Sequence, residues 1–380
     1  MTDKIQGLYF EDFSKGDAFV SRGRTVTETD GVQCVNLAWY TNPRCTDAEF
    51  VKKGYTWNGI ELHERIVPPP MGTFLAPGLA RSIGVLNDTQ MAVLAATWRA
   101  SAVIAFGDTV HLRMTVLETK PAAREDAGIV IFQMQIVNQR GEVVNNDQQV
   151  SLIARRPKNG MPHSPTCPFF ATLDDQSSRC DCPTAVIVPR PPAQMSSQYF
   201  EDFKPGDAFD TRSRTVTEAD IAGFISLPWD HHPLYTDAEY AKKTDFKERI
   251  APPLLGIAFA VGLDAPLAMA AGTCLGFTHT DWQFVGPIRA GDTLQLRQTV
   301  GKKTEADDRT GIVALEMSLV NHRGGVSIRG TRYMVVRGAP GAKEPEVKAM
   351  AWHLGARCES DRSPTDATAI ATPSCSMFIL

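Results

Sequence analysis

The chain is 380 residues long, 43% hydrophobic and 22% charged, with a formal net charge of −4. That is the composition of a globular protein long enough for two domains, and a negative balance without lysine or arginine runs argues against nucleic acid as a partner. No segment reaches the roughly 18 uninterrupted apolar residues of a membrane span, so no membrane partner is expected.

The N-terminal segment MTDKIQGLYFEDF lacks the apolar stretch of a signal peptide, which predicts an intracellular, cytoplasmic protein. The C-terminal Phe378-Ile379-Leu380 differs from the Ser-Lys-Leu peroxisomal address and leaves that compartment open. Eight cysteines fall without regular spacing, so reduced thiols are expected.

From Tyr9 the chain reads YFEDFSKGDAF and then RTVTE, and from Tyr199 it reads YFEDFKPGDAF and then RTVTE again. One domain is written twice. Asp47 answers Asp237 within TDAE at a separation of 190 residues, while Arg65 answers Arg249 at 184. Copy one therefore carries a six-residue insertion within Gly54 to His63. Trp98 and Trp282, Gly107 and Gly291, and Asn138 and Asn321 keep the two copies in step. The expected organisation is a first copy over 1–156, a linker over 157–198, a second copy over 199–338 and a disordered tail over 339–380. The linker is rich in Pro, Ser and Cys and has no periodicity. Its His163, Cys167, Cys180 and Cys182 suggest zinc, but C-x-C is too close for the usual knuckle.

Within copy two, Thr217 is a cap candidate for a short amphipathic helix carrying Ile221, Phe224 and Ile225, ended by Pro228. The stretch PPLLGIAFAVGLDAPLAMAAG is apolar almost all round and studded with small residues, as in a helix buried on every side. From Gly276 onward, alternating runs separated by Gly, Asp and Asn turns read as an antiparallel meander. The expected class is α+β, each copy an antiparallel sheet wrapped around a buried helix, with the two sheets joined edge to edge.

The motifs YFEDF-x-x-GD, RTVTEAD, D-x-x-P-L-x-T-D and W-x-F-x-x-P-I-x-x-GDT-L together resemble the MaoC-like hydratase and dehydratase family, related to the (R)-specific enoyl-CoA hydratases. The resemblance covers both copies and implies a double hotdog. It also implies action on an acyl thioester of coenzyme A or an acyl carrier protein, with water added to a trans-2-enoyl group or removed from a 3-hydroxyacyl group. The family signature G-D-x-N-P-x-H-x-D holds a water between its first Asp and its His, and a backbone N–H at the start of the buried helix polarises the thioester carbonyl. Hydration needs that division of labour: a base, a proton donor for the α carbon, and a donor for the enolate-like oxygen.

In copy two the signature aligns with Trp229-Asp230-His231-His232-Pro233-Leu234-Tyr235-Thr236-Asp237. Asp230 takes the place of the catalytic Asp, Tyr235 stands where the His belongs and His232 replaces the Asn. Pro252-Pro253 replaces the His-Gly at the start of the helix, so Leu254 becomes the candidate amide donor. Copy one holds Tyr40, Asn42 and Cys45 in these columns, followed by Pro68-Pro69-Pro70, and resembles a degenerate half that shapes the acyl pocket. The candidate catalytic residues are Asp230, His232, His231 and Tyr235, and the candidate substrate-binding residues are Leu254, Gly256, Trp229 and Trp282.

The alternatives stay open. Asp230 and an imidazole could serve another dehydration or proton-transfer step on a polyketide-like small molecule in secondary metabolism. The chain could be a non-catalytic acyl-binding subunit or a hotdog thioesterase. In the blandest reading, Asp230 caps a turn, the histidines are solvated and Tyr235 is packing. His279 could face a pocket, whereas Cys45 reads as an inert buried thiol and Glu64–Arg65 and Glu248–Arg249 as structural ion pairs. No metal or redox cofactor is implied, since neither a ligand cluster nor a dinucleotide fingerprint is present. A homodimer is allowed.

Overall fold

A computed structural model describes residues 7–57, 60–157, 198–269, 273–307 and 310–339. Almost all of the linker and tail, including His163, Cys167, Cys180 and Cys182, lies outside these residues.

Copy one runs β1 (Ala18–Val20), β2 (Arg24–Thr25), α1 (Glu28–Ala38), α2 (Pro43–Thr46), α3 (Ala48–Lys52), β3 (Tyr55–Trp57), β4 (Ile60–Leu62), α4 (Met71–Ile83), β5 (Gln90–Trp98), β6 (Thr109–Pro121), β7 (Ala127–Asn138) and β8 (Val143–Ala154). Copy two runs β9 (Ala208–Thr215), α5 (Glu218–Ser226), α6 (Pro233–Thr236), α7 (Ala238–Lys242), α8 (Pro253–Met269), β10 (Cys274–Phe284), β11 (Thr293–Asp307), β12 (Thr310–Asn321) and β13 (Val326–Arg337). The short β3–β4 pair falls where copy one has its insertion.

Local chemistry accounts for the helix starts. Thr27 and Thr217 each accept a hydrogen bond from the N–H of the acidic residue three positions on, and that residue's carboxylate accepts the threonine N–H in return. Such reciprocal caps satisfy two otherwise orphaned donors. Helix α5 ends at Ser226, just short of Pro228. Asp47 and Asp237 cap α3 and α7 by acceptance alone, each taking two N–H groups.

The strands form one eleven-stranded antiparallel sheet in the order β1-β6-β7-β8-β5-β10-β13-β12-β11-β9, with β2 also paired to β6. The copies meet at β5 and β10, where Trp98 lies opposite Thr280, Thr97 opposite Asp281 and Ala96 opposite Trp282. Trp98 and Trp282 are counterparts, so the register is self-complementary, as across a twofold axis. Phe74 of α4 packs edge-on against Phe224 of copy two's α5 at 5.4 Å, and Phe259 of α8 lies under Arg214 of β9 at 3.8 Å; both rings are essentially inaccessible. Each such burial contributes about 2 to 3 kcal/mol.

The segments that follow α1 and α5 also cross-connect the copies. Trp39 and Trp229 sit in the left-handed region at φ 61° and 65°. Each ring lies under an arginine of the other copy: Arg214 is 4.0 Å from the Trp39 centroid and Arg24 is 3.9 Å from that of Trp229.

The ion pairs differ from the expected ones. Arg65 bonds Glu28 at 2.8 Å and Arg249 bonds Glu218 at 2.9 Å, not their sequence neighbours, because adjacent side chains on extended backbone point apart. Glu248 pairs instead with Arg289 at 2.5 Å. No described helix is long and apolar enough to cross a membrane.

Candidate active site

Positive φ at Trp229 turns the chain sharply after α5, after which successive side chains alternate inward and outward. Asp230 points in and is 6% exposed, His231 points into solvent, and His232 points in. The Asp230 carboxylate accepts a hydrogen bond from Nε of Arg81 at 3.3 Å. Arg81 belongs to α4 of the other copy. Its Nη1 donates to the Leu86 carbonyl at 2.9 Å and its Nη2 to Oε1 of Gln90 at 2.6 Å. The Gln90 amide donates in turn to Ser151 at 3.0 Å, so the guanidinium is held by a chain of copy-one groups.

His232 is committed to the backbone. Its Nδ1 accepts the Leu234 N–H at 3.0 Å, which leaves the proton on Nε2 to be donated to the Gln90 carbonyl at 3.1 Å. Burial, with the Arg81 cation next, pushes its pKa down to about 3 and keeps the ring neutral. It caps α6 as Asn42 caps α2, where Asn42 Oδ1 accepts the Arg44 N–H at 3.0 Å. His232 as placed has no nitrogen left to activate water, and His231 is turned away from Asp230.

Tyr235 is buried on α6, its ring 5.3 Å from that of His232. Its hydroxyl makes no hydrogen bond among the described residues. Burial and the nearby Asp230 charge raise its pKa, so it is a neutral phenol able to donate or accept.

Two adjoining clefts, each partly open to solvent, lie between the copies. The larger spans about 560 Å³, open solvent at its mouth included, and has largely apolar walls that include Met91, Phe246, Phe284 and Ile328. The smaller spans about 420 Å³ on the same measure and holds Asp230, Leu254 and Gln149. Arg81, Gln90, Val93, Tyr235 and Pro253 line both.

The start of α8 borders the smaller cleft at Leu254. Pro252 and Pro253 have no N–H and the Leu255 N–H bonds the Pro252 carbonyl at 2.9 Å, so the Leu254 N–H is the first free donor at the positive end of the helix. In copy one Pro70 occupies the Leu254 column and the Met71 N–H bonds the Pro68 carbonyl at 2.8 Å. That column of α4 has no donor to offer.

The remaining candidates lie elsewhere. Trp229 is 52% exposed and stacked on Arg24, because its left-handed backbone turns the ring outward. Trp282 is 1% exposed beside the β5–β10 joint and lines neither cleft. Gly256 faces its own sheet, where an added Cβ would meet Ile288 and Ile328 at 2.5 Å; it lets α8 approach the sheet and does not line a cleft. His279 stacks on Tyr333 at 4.2 Å, outside the site. Burial pushes the Cys45 thiol up to about 12, as for an inert thiol.

The counterpart half of copy one carries different side chains. Tyr40, in the Asp230 column, is buried, as is Arg332, which pairs with Asp264 and lies over Phe277 at 4.9 Å. Phe277 and Arg332 stand where the open half has Val93 and Gln149.

Arg81, Gln90 and Gln149 are the site residues that the sequence reasoning missed. Arg81 did leave a signal, as the one charged residue in MGTFLAPGLARSI, since an unpaired arginine is seldom placed in a buried helix. Gln90 and Gln149 left none.

The family model of the MaoC like domain matches residues 202–321. Protein MaoC of Klebsiella aerogenes is 34% identical over 113 residues, 30% of this chain and 33% of its own length. The (R)-specific enoyl-CoA hydratase of Rhodospirillum rubrum is 32% identical over 102 residues, 27% of this chain and 69% of that protein. The chain thus spans a third of the first relative and about two thirds of the second. A Mycobacterium tuberculosis protein described as a double hotdog superposes with a TM-score of 0.63 at 16% identity, covering 87% of this chain and 98% of that one. At that identity the likeness is one of fold.

Proposed function

Since the chain belongs to the MaoC-like dehydratase family, we propose that its copy-two half-site catalyses addition of water to a 2-enoyl thioester, or the reverse dehydration of a 3-hydroxyacyl thioester. The observation that carries this reading is that Asp230, Tyr235 and Leu254, whose N–H is free, line one cleft.

A water molecule sits between the Asp230 carboxylate and the Tyr235 hydroxyl. Asp230 takes its proton as the oxygen bonds to C3 of the enoyl group, and the electron pair of the double bond moves toward the thioester. The oxygen that becomes enolate-like receives the Leu254 N–H, aided by the α8 dipole. Protonated Asp230 then returns the proton to C2, which closes the balance: one water in, one C–O and one C–H bond formed. Tyr235 replaces the family's His as the group that orients the water. Arg81 holds the Asp230 carboxylate in place, so copy one contributes an anchor although Tyr40 stands in its own Asp230 column.

The reading is tested by following loss of the conjugated thioester absorbance across a short enoyl-CoA panel. Wild type should turn over at least one member and Asp230→Asn should lose about 100-fold or more. No turnover by well-folded wild type would point instead to an acyl-binding subunit or a dedicated biosynthetic substrate.

A further inference from the structure

Arg81 has hydrogen-bonding capacity that the protein leaves unused. A guanidinium carries five N–H bonds. Nε serves Asp230, one Nη1 hydrogen serves the Leu86 carbonyl and one Nη2 hydrogen serves Gln90, which leaves one N–H on each terminal nitrogen. The side chain is 14% exposed and lines both clefts. The guanidinium that carries these unused donors therefore borders the space that a ligand would enter.

The walls of the larger cleft make this consequential. They are mostly apolar, and a plain alkyl chain filling them would displace water from the Arg81 donors without replacing its hydrogen bonds. That desolvation is costly for a charged donor, whereas an oxygen on the acyl chain would turn the cost into a charge-assisted hydrogen bond. Gln90 and the Leu86 carbonyl fix the guanidinium in advance, so little ordering is left to occur on binding. On the hydratase reading above, we propose that Arg81 selects thioesters whose acyl chain bears a second oxygen function beyond the thioester carbonyl, a carboxylate or a ketone, and discriminates against unsubstituted alkyl chains.

The test measures binding of three non-reacting probes to the full chain by calorimetry: butyryl-CoA, succinyl-CoA and 4-oxopentanoyl-CoA. Wild type should bind at least one oxygenated probe about tenfold or more tighter than butyryl-CoA. A preference confined to succinyl-CoA assigns a carboxylate, and one shared with 4-oxopentanoyl-CoA assigns a neutral oxygen. Arg81→Met should erase the preference and Arg81→Lys should keep part of it. Equal affinities in wild type, or a preference that survives Arg81→Met, overturn the proposal. If Arg81→Met does not fold, Gln90→Met, which removes the acceptor orienting Nη2, must lower the preference. Binding is read without turnover. An Arg81-dependent preference in a protein that hydrates nothing sinks the reaction and keeps this assignment; hydration with no preference does the reverse.

Discussion

Gly78 of α4 lies against Pro228 so closely that a Cβ on the glycine would sit 1.5 Å from the Pro228 carbonyl oxygen, and its counterpart Gly262 of α8 meets the Ala38 carbonyl at the same 1.5 Å. The loop leading into Asp230 thus rests on the backbone of the other copy's helix. Gly78→Ala must push that loop away, and we expect a loss of about 3 kcal/mol, at the upper end of overpacking costs, together with weakened hydration. Thermal unfolding is the check. Gly223→Ala on α5, where the new methyl meets only Leu37 at 3.4 Å, should be neutral or stabilising; equal losses in both variants would remove the special role of the Gly78 contact.

His232 looks catalytic by position and structural by its bonds. With Nδ1 accepting from Leu234 and Nε2 donating to the Gln90 carbonyl, its work is to cap α6 and tie it to β5. His232→Asn, which copies the Asn42 cap of copy one, should fold normally and keep hydration within about tenfold of wild type, well short of the 100-fold or more expected on losing a general base. A drop as deep as that of Asp230→Asn, at unchanged melting temperature, would return His232 to the chemistry.

The contrast between these residues shows what the sequence made legible. The caps at Thr27 and Thr217 span three residues, so spacing alone revealed them. The buried helix and the meander showed in composition and alternation. The Arg81–Asp230 bond spans 149 positions and exists only because the copies pack against each other, so no local pattern encodes it. Trp229 was misplaced because its direction follows from a left-handed backbone angle that is uncommon for a tryptophan. That Leu254 carries the first free N–H of α8 was legible, because proline's missing N–H is a covalent fact.

Asp147 of β8 gives stability a pH dependence. Its carboxylate is buried, accepting from the Thr73 hydroxyl at 2.6 Å and the Arg99 N–H at 2.8 Å, and burial above all raises its pKa to about 7. The folded value lies above the unfolded value of about 4, so the folded chain binds the proton more tightly. The contribution is complete below about pH 4 and is lost as pH rises through about 7. Denaturant midpoints for wild type should carry a downward component over that window, and Asp147→Asn should flatten it. An unchanged pH profile in the variant would mean that the group is ionised in the folded state.

Leu254 allows copy two to be given copy one's defect. Copy one places Pro70 in this column at φ −66° and ψ −15°, helical values, so the fold already tolerates proline here in its other half. Pro68 and Pro69 before it show that a run of three prolines can lead into the helix. Leu254→Pro deletes the free N–H and trims an apolar side chain that is 8% exposed, so a modest loss of stability is expected. Hydration should fall by about 100- to 1,000-fold in kcat, the usual effect of removing one oxyanion donor. Leu254→Ala trims the side chain but keeps the amide, and should lose far less. Parallel losses in the two variants would move the oxyanion donor elsewhere in the cleft, with the Arg81 guanidinium the next group to test.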